Sequence, residues 1–508
     1  LEVNFLSATE KAYRELEDVL GADYVSNQDF VRQAYSRNVD PALPDRWPDI
    51  VVRPGTTEEV SHIVRVANKY KIPMVPRGGG ADLVGGSKPI VEGGIVIDLT
   101  RMNRVVEINE DVGNVVVECG ITWGEIIEFL HKRGYTTGVE GPGSGMSATI
   151  GGGLSNNTIG FGSTKYGPVS ENCIGVEVVL PNPDGDVIVT GSGSSRYVKK
   201  PFTRWGMGPD FTGLFMGDVG TMGIKTKAVL KIYPLPEYRE GFTFTVPEDY
   251  EFVVKVTHSL QRRCSWGISD ITLTPSAVVM LYSLTDVIKP WKEMLLMKPV
   301  MMVGIEADDE RMFELASDIV HEEFAKPGVT ELGPTIKEGN IAEWVGKKQG
   351  QWQYFHGVFG VLPGHFSCTT CHKVPLDQMP EVFRTSDEHT LQKLEEYSNA
   401  TVASVTAAVV YMMPRGECVI VGGMSGWNKP EMRETNLKLW KERLRFQVKY
   451  GGVHYWLGEV ISQAIMEANA FPPKFTKFFK DVKRTLDPNF LLSPGKFHFY
   501  SAEEEQND

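Results

Sequence analysis

The chain has 508 residues, 42% of them hydrophobic and 23% charged. That length exceeds one compact core and calls for two or three domains. A net charge of −13 argues against non-specific nucleic-acid binding. No apolar run approaches the ~18 residues of a membrane helix. No signal peptide is visible from Leu1 onward, so a cytoplasmic protein without a transmembrane segment is expected. Six cysteines in this length make no disulfide framework.

Residues 8–36 read as amphipathic helix, with Leu16, Val19 and Leu20 at helical spacing. Pro41, Pro44 and Pro48 then mark an extended arm. Ile50-Val51-Val52 is a short strand. Thr56-Thr57-Glu58-Glu59 opens a helix whose apolar face is Val60, Ile63, Val64 and Ala67. A buried strand over 71–75 follows. Further strands are expected at 94–99, 114–118, 174–180, 186–190 and 228–233, with a helix at 122–133. Beyond Pro236 the texture changes. Strands at 242–246, 299–305 and 401–411 alternate with helices at 248–262, 308–324 and 430–448, and a last helix covers 473–485. The expected organisation is an N-terminal helical arm (1–45), a first α+β domain (46–236), a second α+β domain with an antiparallel sheet (237–450) and a C-terminal return (451–508).

Four segments are dense in glycine and small polar residues. The first is Pro76-Arg77-Gly78-Gly79-Gly80-Ala81-Asp82-Leu83-Val84-Gly85-Gly86-Ser87, with five glycines in the nine residues 78–86. Glycine lets backbone N–H groups converge on an anion. The second runs from Gly141 to Asn157 and includes Pro142, Gly143, Ser144, Ala148, Thr149, Gly151, Gly152 and Asn156. The third is Tyr166-Gly167-Pro168 leading into Gly175-Val176. The fourth is Leu214–Ile224, ending in Gly223-Ile224. Such a lining suits a large flat cofactor with a diphosphate linker.

In this order the segments resemble the FAD-binding domain of the p-cresol methylhydroxylase/vanillyl-alcohol oxidase superfamily, over about residues 45–236. Leu486-Asp487-Pro488-Asn489-Phe490-Leu491-Leu492-Ser493-Pro494-Gly495-Lys496 is similar to the family's return into that domain. The resemblance implies an α+β fold: a non-Rossmann FAD domain plus a cap or substrate domain. It implies that Pro76, Arg77, Gly78, Gly79, Gly80, Ala81, Asp82 and Leu83 cradle the diphosphate. Pro142, Gly143, Ser144, Ala148, Thr149, Gly151, Gly152 and Asn156 would line the diphosphate and isoalloxazine. Gly175 and Val176 would meet the adenine end, and Gly223 and Ile224 would close over the adenosine or ribityl region. Lys496 joins this cofactor set. Relatives that tether flavin through the first loop carry His where this chain has Ala81, and no His lies in 63–130. FAD is therefore expected to be non-covalent, with a link from the second domain left open.

The family's usual chemistry is hydride removal from a carbon bearing a hydroxyl. The first loop and the tail are similar to glycolate-oxidase-subunit-like and D-lactate-dehydrogenase-like enzymes. Arg204–Phe215 is similar to the alkylphenol and vanillyl-alcohol branch and to the alkylglycerone-phosphate synthase branch. The hydroxy-acid branch's metal-binding His pair and Gly-Glu-His-Gly segment are absent. In their place stands Gly451-Gly452-Val453-His454-Tyr455-Trp456-Leu457-Gly458-Glu459-Val460. His454 and Glu459 are the acid/base candidates, helped by Tyr455; Arg415 and Trp427 are further candidates. The alternatives are a half-buried histidine, a solvated loop arginine and core packing.

Gly364-His365-Phe366-Ser367-Cys368-Thr369-Thr370-Cys371-His372 carries the Cys-x-x-Cys-His spacing of c-type haem attachment. It also suits a metal site or redox disulfide at Cys368, Cys371 and His372, or a purely structural strand. The expected function is an FAD-linked oxidoreductase of a small hydroxylated substrate, a 2-hydroxy acid or a benzylic or other alcohol. It would pass electrons to a redox partner protein or to oxygen, as a homodimer or within a larger complex. A non-redox synthase of the alkylglycerone-phosphate type and an electron-transfer flavin subunit are the alternatives.

Overall fold

The computed structural model describes residues 6–37, 43–275, 299–331, 365–396, 402–427 and 429–500. The periodic stretch over 8–36 is two helices rather than one. Gly21, at φ 88°, ends α1 (Ala8–Leu20); β1 (Val25–Ser26) and α2 (Asp29–Tyr35) follow. Ser7 and Glu10 form a complete capping box on α1. Its buried face, Ala12, Leu16 and Leu20, packs into the same core as Val60, Ile63 and Val64. The N-terminal segment thus packs into the first layer.

That layer is a four-stranded sheet in the order β1-β2-β4-β3, with β2 (Ile50–Val52), β3 (Met74–Arg77) and β4 (Ile95–Asp98) parallel. Parallel strands need a crossover, here helix α3 (Thr57–Tyr70). The Thr56 hydroxyl accepts from the Glu59 N–H at its start, and Lys71 ends it in the left-handed region. β3 delivers the chain directly into the first glycine-rich loop.

A second, wholly antiparallel sheet has the order β5-β6-β10-β8-β9. Its strands are β5 (Val105–Asn109), β6 (Asn114–Glu118), β8 (Cys173–Val179), β9 (Val187–Val189) and β10 (Ile224–Lys231). β10 starts four residues before the expected 228, and a bulge between Lys225 and Lys227 absorbs the mismatch with β8. Between β6 and β8 run α4 (Trp123–His131), β7 (Tyr135–Thr136), α5 (Ile150–Asn156) and α6 (Ser163–Tyr166), and β7 pairs with β11 (Tyr233–Pro234).

Among the described residues the third sheet has eight antiparallel strands in the order β15-β12-β14-β13-β17-β18-β16-β19. They are β12 (Tyr238–Thr245), β13 (Ile268–Thr274), β14 (Val300–Ala307), β15 (Thr330–Glu331), β16 (His365–Pro375), β17 (Val402–Met412), β18 (Glu417–Trp427) and β19 (Val453–His454). Its helices are α7 (Tyr250–Cys264), α8 (Glu310–Phe324), α9 (Met379–Glu396) and α10 (Arg433–Lys449). Strand side chains alternate between faces. Val410, Met412, Cys418 and Ile420 enter the core shared with α7, α8 and α9. Tyr411, Val419, Val421 and Cys371 form a separate cluster with Tyr455 on the other face. Ile159 of the first half packs into that second cluster. α6 fastens the halves: the Thr164 hydroxyl donates to the Met412 carbonyl at 2.6 Å, and the Tyr166 hydroxyl donates to Glu306 at 2.7 Å.

The tail returns as the motif predicts. After α11 (Glu459–Glu467) and α12 (Pro473–Leu486), the Met74 N–H donates to the Leu491 carbonyl and the Ser493 N–H to the Met74 carbonyl, each at 2.7 Å. Asp487 accepts from the Leu491 and Leu492 N–H groups. Fully buried Lys483 donates to Asp487 at 2.6 Å and to the carbonyls of Thr221 and Leu492. Removing one member of such a pair leaves a buried charge uncompensated. Lys483→Met is therefore expected to lower the unfolding free energy by about 3–5 kcal/mol, read from urea melts; an unchanged midpoint would show that the pair does not hold the tail.

Candidate functional site

The two halves enclose a cavity of about 1230 Å³, including space open to solvent. Its floor is the loop after β3, residues Pro76 to Leu83 with Gly86 and Ser87. The loop lies against the second glycine-rich segment too closely for side chains. A Cβ at Gly79 would stand 1.7 Å from the Ser147 carbonyl oxygen, and one at Gly78 2.1 Å from the Thr149 hydroxyl. Asp82 folds the loop from within: its carboxylate accepts from the Gly86 N–H at 2.7 Å, the Val84 N–H at 3.2 Å and the Ser87 hydroxyl at 2.6 Å. The Arg77 guanidinium packs over the Tyr35 ring and donates to the Ser87 carbonyl.

The second wall comes from Pro142, Gly143, Ser144, Ala148, Thr149, Gly151, Gly152, Gly153, Ser155 and Asn156. The Thr149 hydroxyl caps α5 by accepting from the Gly152 N–H. Val219, Gly220, Gly223 and Lys225 close the adjoining side. Buried Lys225 donates to Asp218 at 2.6 Å and to the Ser155 hydroxyl at 2.8 Å, so it carries charge to the wall already half-neutralised. Two cavity-lining oxygens, Asn156 Oδ1 and Thr158 Oγ1, are buried without a protein hydrogen-bond partner. Such atoms call for a ligand or water.

The far wall belongs to the eight-stranded sheet: Tyr411 from β17, Val421 from β18, and Tyr455 and Trp456 just beyond β19. Ile159 faces them from the first half. Burial pushes the Tyr455 phenol well above its ordinary range, with the Cys371 thiol and Tyr411 adding to the shift. Tyr455 therefore stays protonated.

All eight residues from Pro76 to Leu83 line the cavity, together with the eight expected from Pro142 to Asn156 and Gly223. Four others expected at the cofactor do not. The Val176 side chain is in the core of the second sheet, and its backbone N–H and C=O are both engaged by Thr190. Gly175 is pressed against the Thr190 carbonyl. Ile224 points into the core of the first sheet. Lys496 stands behind the loop, where its ammonium donates to the carbonyls of Gly86 and Val219. Burial lowers its pKa to about 8, opposed by Asp82 and Asp218.

Of the catalytic candidates whose side chains are described, only Tyr455 reaches the cavity. His454 is one strand position earlier and so on the opposite face, its ring 5.5 Å from that of His372 and its Nδ1 3.0 Å from the Cys371 carbonyl. Burial drops its pKa to about 4. Glu459 forms a 2.5 Å ion pair with fully buried Lys88, tying α11 to the end of the first loop. Arg415 is exposed in the turn between β17 and β18. The side chains of Trp427 and His365 lie outside the described residues.

Cys-x-x-Cys-His is corrected as well. It lies within β16, where three residues span about 10 Å and end on opposite faces. Cys368 packs with Leu439 and Trp440 under α10, whereas Cys371 packs with Tyr411 and Tyr455. Both thiols are free. Among the described residues no group of three His, Cys, Asp or Glu is placed to hold a metal ion, and a single haem or metal cannot be served from both faces.

Composition hid several cavity residues. Lys225, Thr158, Ile159 and Tyr411 sit in unremarkable sequence, and only the alternation along β17 and β18 would have pointed to Tyr411 and Val421.

Comparison with known proteins follows the same lines. Residues 48–191 match the family described as FAD binding domain. The glycolate oxidase subunit GlcD of Bacillus subtilis (strain 168) is 34% identical over 232 residues, 46% of this chain and 47% of that protein. The chain thus spans about half the length of that relative. The mitochondrial D-lactate dehydrogenase (cytochrome) of Arabidopsis thaliana is 26% identical over 455 residues, covering 88% of this chain and 73% of that one. Among solved structures, 4-ethylphenol oxidase from Gulosibacter chungangensis superposes with a TM-score of 0.82 at 21% identity, over 98% of each chain. For p-cresol methylhydroxylase with substrate bound the TM-score is 0.78 at 19% identity, over 97% of each chain. Residues 48–191 thus carry an FAD-binding domain, and the chain shares the fold of 4-ethylphenol oxidase and p-cresol methylhydroxylase.

FAD is the cofactor of this fold, and the cavity fits it: a glycine cradle that any Cβ would fill, beside two orphaned polar oxygens. Overpacking costs about 1–3 kcal/mol, so Gly79→Ala is expected to weaken FAD retention roughly 10–100-fold, measured as flavin absorbance per protein. Gly86→Ala, whose Cβ would meet nothing nearer than 3.5 Å, should retain it. Equal flavin content in both variants would contradict the cradle.

Proposed function

We propose that the chain is an FAD-dependent oxidoreductase that removes a hydride from a carbon bearing a hydroxyl in a small substrate. The observation that carries this reading is one continuous cavity, with a glycine cradle at one side and the Tyr411, Val421, Tyr455 and Trp456 wall at the other. The flavin, when bound, supplies the hydride acceptor. The residues from Pro76 to Leu83 hold its diphosphate through the backbone, and Thr149, Asn156 and Thr158 offer it hydrogen bonds. Ala81 gives the first loop no nucleophile, so the loop holds FAD without a covalent bond.

The sheet wall orients the substrate. Its aromatic rings favour a flat or apolar body, and the Tyr455 hydroxyl donates to the substrate oxygen. Arg77 and Lys225 are the cavity's cationic side chains among the described residues, and both belong to the cradle half. Among the described residues, the sheet wall offers a carboxylate no Arg or Lys clamp of the kind that 2-hydroxy acids call for. This favours a neutral hydroxylated substrate, a benzylic or other alcohol. Electrons then leave to a partner protein or to oxygen.

Anaerobic mixing with a 4-hydroxybenzyl alcohol is expected to bleach the flavin band near ~450 nm faster than lactate or glycolate does. Bleaching by no alcohol at all would overturn the redox reading in favour of a synthase or electron-transfer role. Tyr455→Phe removes a hydrogen bond worth about 1–1.5 kcal/mol. It should lower kcat/KM about tenfold with flavin content unchanged. Because the phenol stays protonated, no step in the rate below pH ~10 should disappear with it.

A further inference from the structure

Helix α12 has a face that the flavin chemistry leaves unused. Residues 471–480 read Phe-Pro-Pro-Lys-Phe-Thr-Lys-Phe-Phe-Lys: four phenylalanines, three lysines and no acid, in a chain of net charge −13. The C-terminal half of α12 is anchored. Lys483 is fully buried, and Val482 and Leu486 pack on the core of the second sheet. Phe479 is anchored too, with its ring 5.0 Å from Phe499 and 5.2 Å from Phe497. The N-terminal half stands out from the surface. Phe475 is 47% and Phe478 61% exposed, and Lys474 and Lys477 are exposed beside them. The rings are mutually packed: Phe471 lies 5.0 Å from Phe475, and Phe475 6.2 Å from Phe478. Lys477 is paired with Asp481 on the flank, within its own helix.

We infer that this phenylalanine knob and its lysines dock the protein on an anionic lipid surface. Two features select that occupant. Residues 471–480 carry three lysines and no carboxylate, so this face is the charge complement of an anionic surface. Lysine stems carry their charge to the headgroup level while the phenyl rings enter the acyl boundary beneath. A helix that starts at Pro473 and is clamped by Lys483 presents these rings already ordered. No helix among the described residues is long and apolar enough to cross a membrane, so the contact is peripheral.

The test is vesicle flotation of the full flavin-loaded chain. Vesicles of phosphatidylcholine alone are compared with vesicles holding phosphatidylserine at about 30 mol %. The wild type should float with the anionic vesicles only, and less so at high salt. Phe475→Ser/Phe478→Ser and Lys474→Glu/Lys477→Glu should each cut the bound fraction at least about tenfold, with the flavin spectrum and urea midpoint unchanged. Absence of wild-type flotation, or flotation that both variants keep, overturns the proposal. So does a dimer, measured by light scattering, that the phenylalanine variant converts to monomer, because the face would then belong to a second copy. None of these results bears on alcohol-dependent bleaching, so the redox reading stands or falls separately.

Discussion

Everything at the site depends on a backbone-to-backbone approach between two loops. Residues 78 and 79 lie where Ser147 and Thr149 leave no room for a β-carbon. Glycine at these positions brings the two loops into one surface and exposes main chain to the cavity. The loop pays in conformational entropy, since glycine loses the most on ordering. Several contacts offset that cost. Asp82 folds the loop internally, Lys88 pairs with Glu459 at its end, and Lys496 holds the Gly86 carbonyl from behind.

Buried lysines therefore do the joining. Lys88, Lys483 and Lys496 are each inaccessible and each bind a carboxylate or carbonyl from a distant part of the sequence. Isolated buried charges are costly, so these sites are satisfied only when the C-terminal return is in place. That couples the tail, nearly at the chain's end, to a loop formed near residue 80. It also explains why Lys496 is a strut: its ammonium is consumed by holding the loop and has no reach into the cavity.

How much of this was legible follows the range of the signal. The glycine-rich segments and the Leu-Asp-Pro return were readable because close approach demands glycine locally. Asp487 likewise acts on its own neighbours, the N–H groups of Leu491 and Leu492. The substrate wall was not readable, because it depends on which face of a strand a residue takes. His454 and Tyr455 are adjacent, yet one faces His372 and the other the cavity. Cys368 and Cys371 fail as a pair for the same reason. Their spacing matches a motif that needs a turn or helix, and the chain is extended there. Glu459 looked like an acid/base group because its partner, Lys88, is 371 residues away in sequence.

The most direct test of the central claim is the absorption spectrum of the purified protein before and after acid precipitation. The account predicts a flavin band near ~450 nm without a sharp Soret band, and FAD released wholly into the supernatant. Flavin that stays with the precipitated chain, a Soret band, or a protein that cannot be loaded with FAD would contradict it.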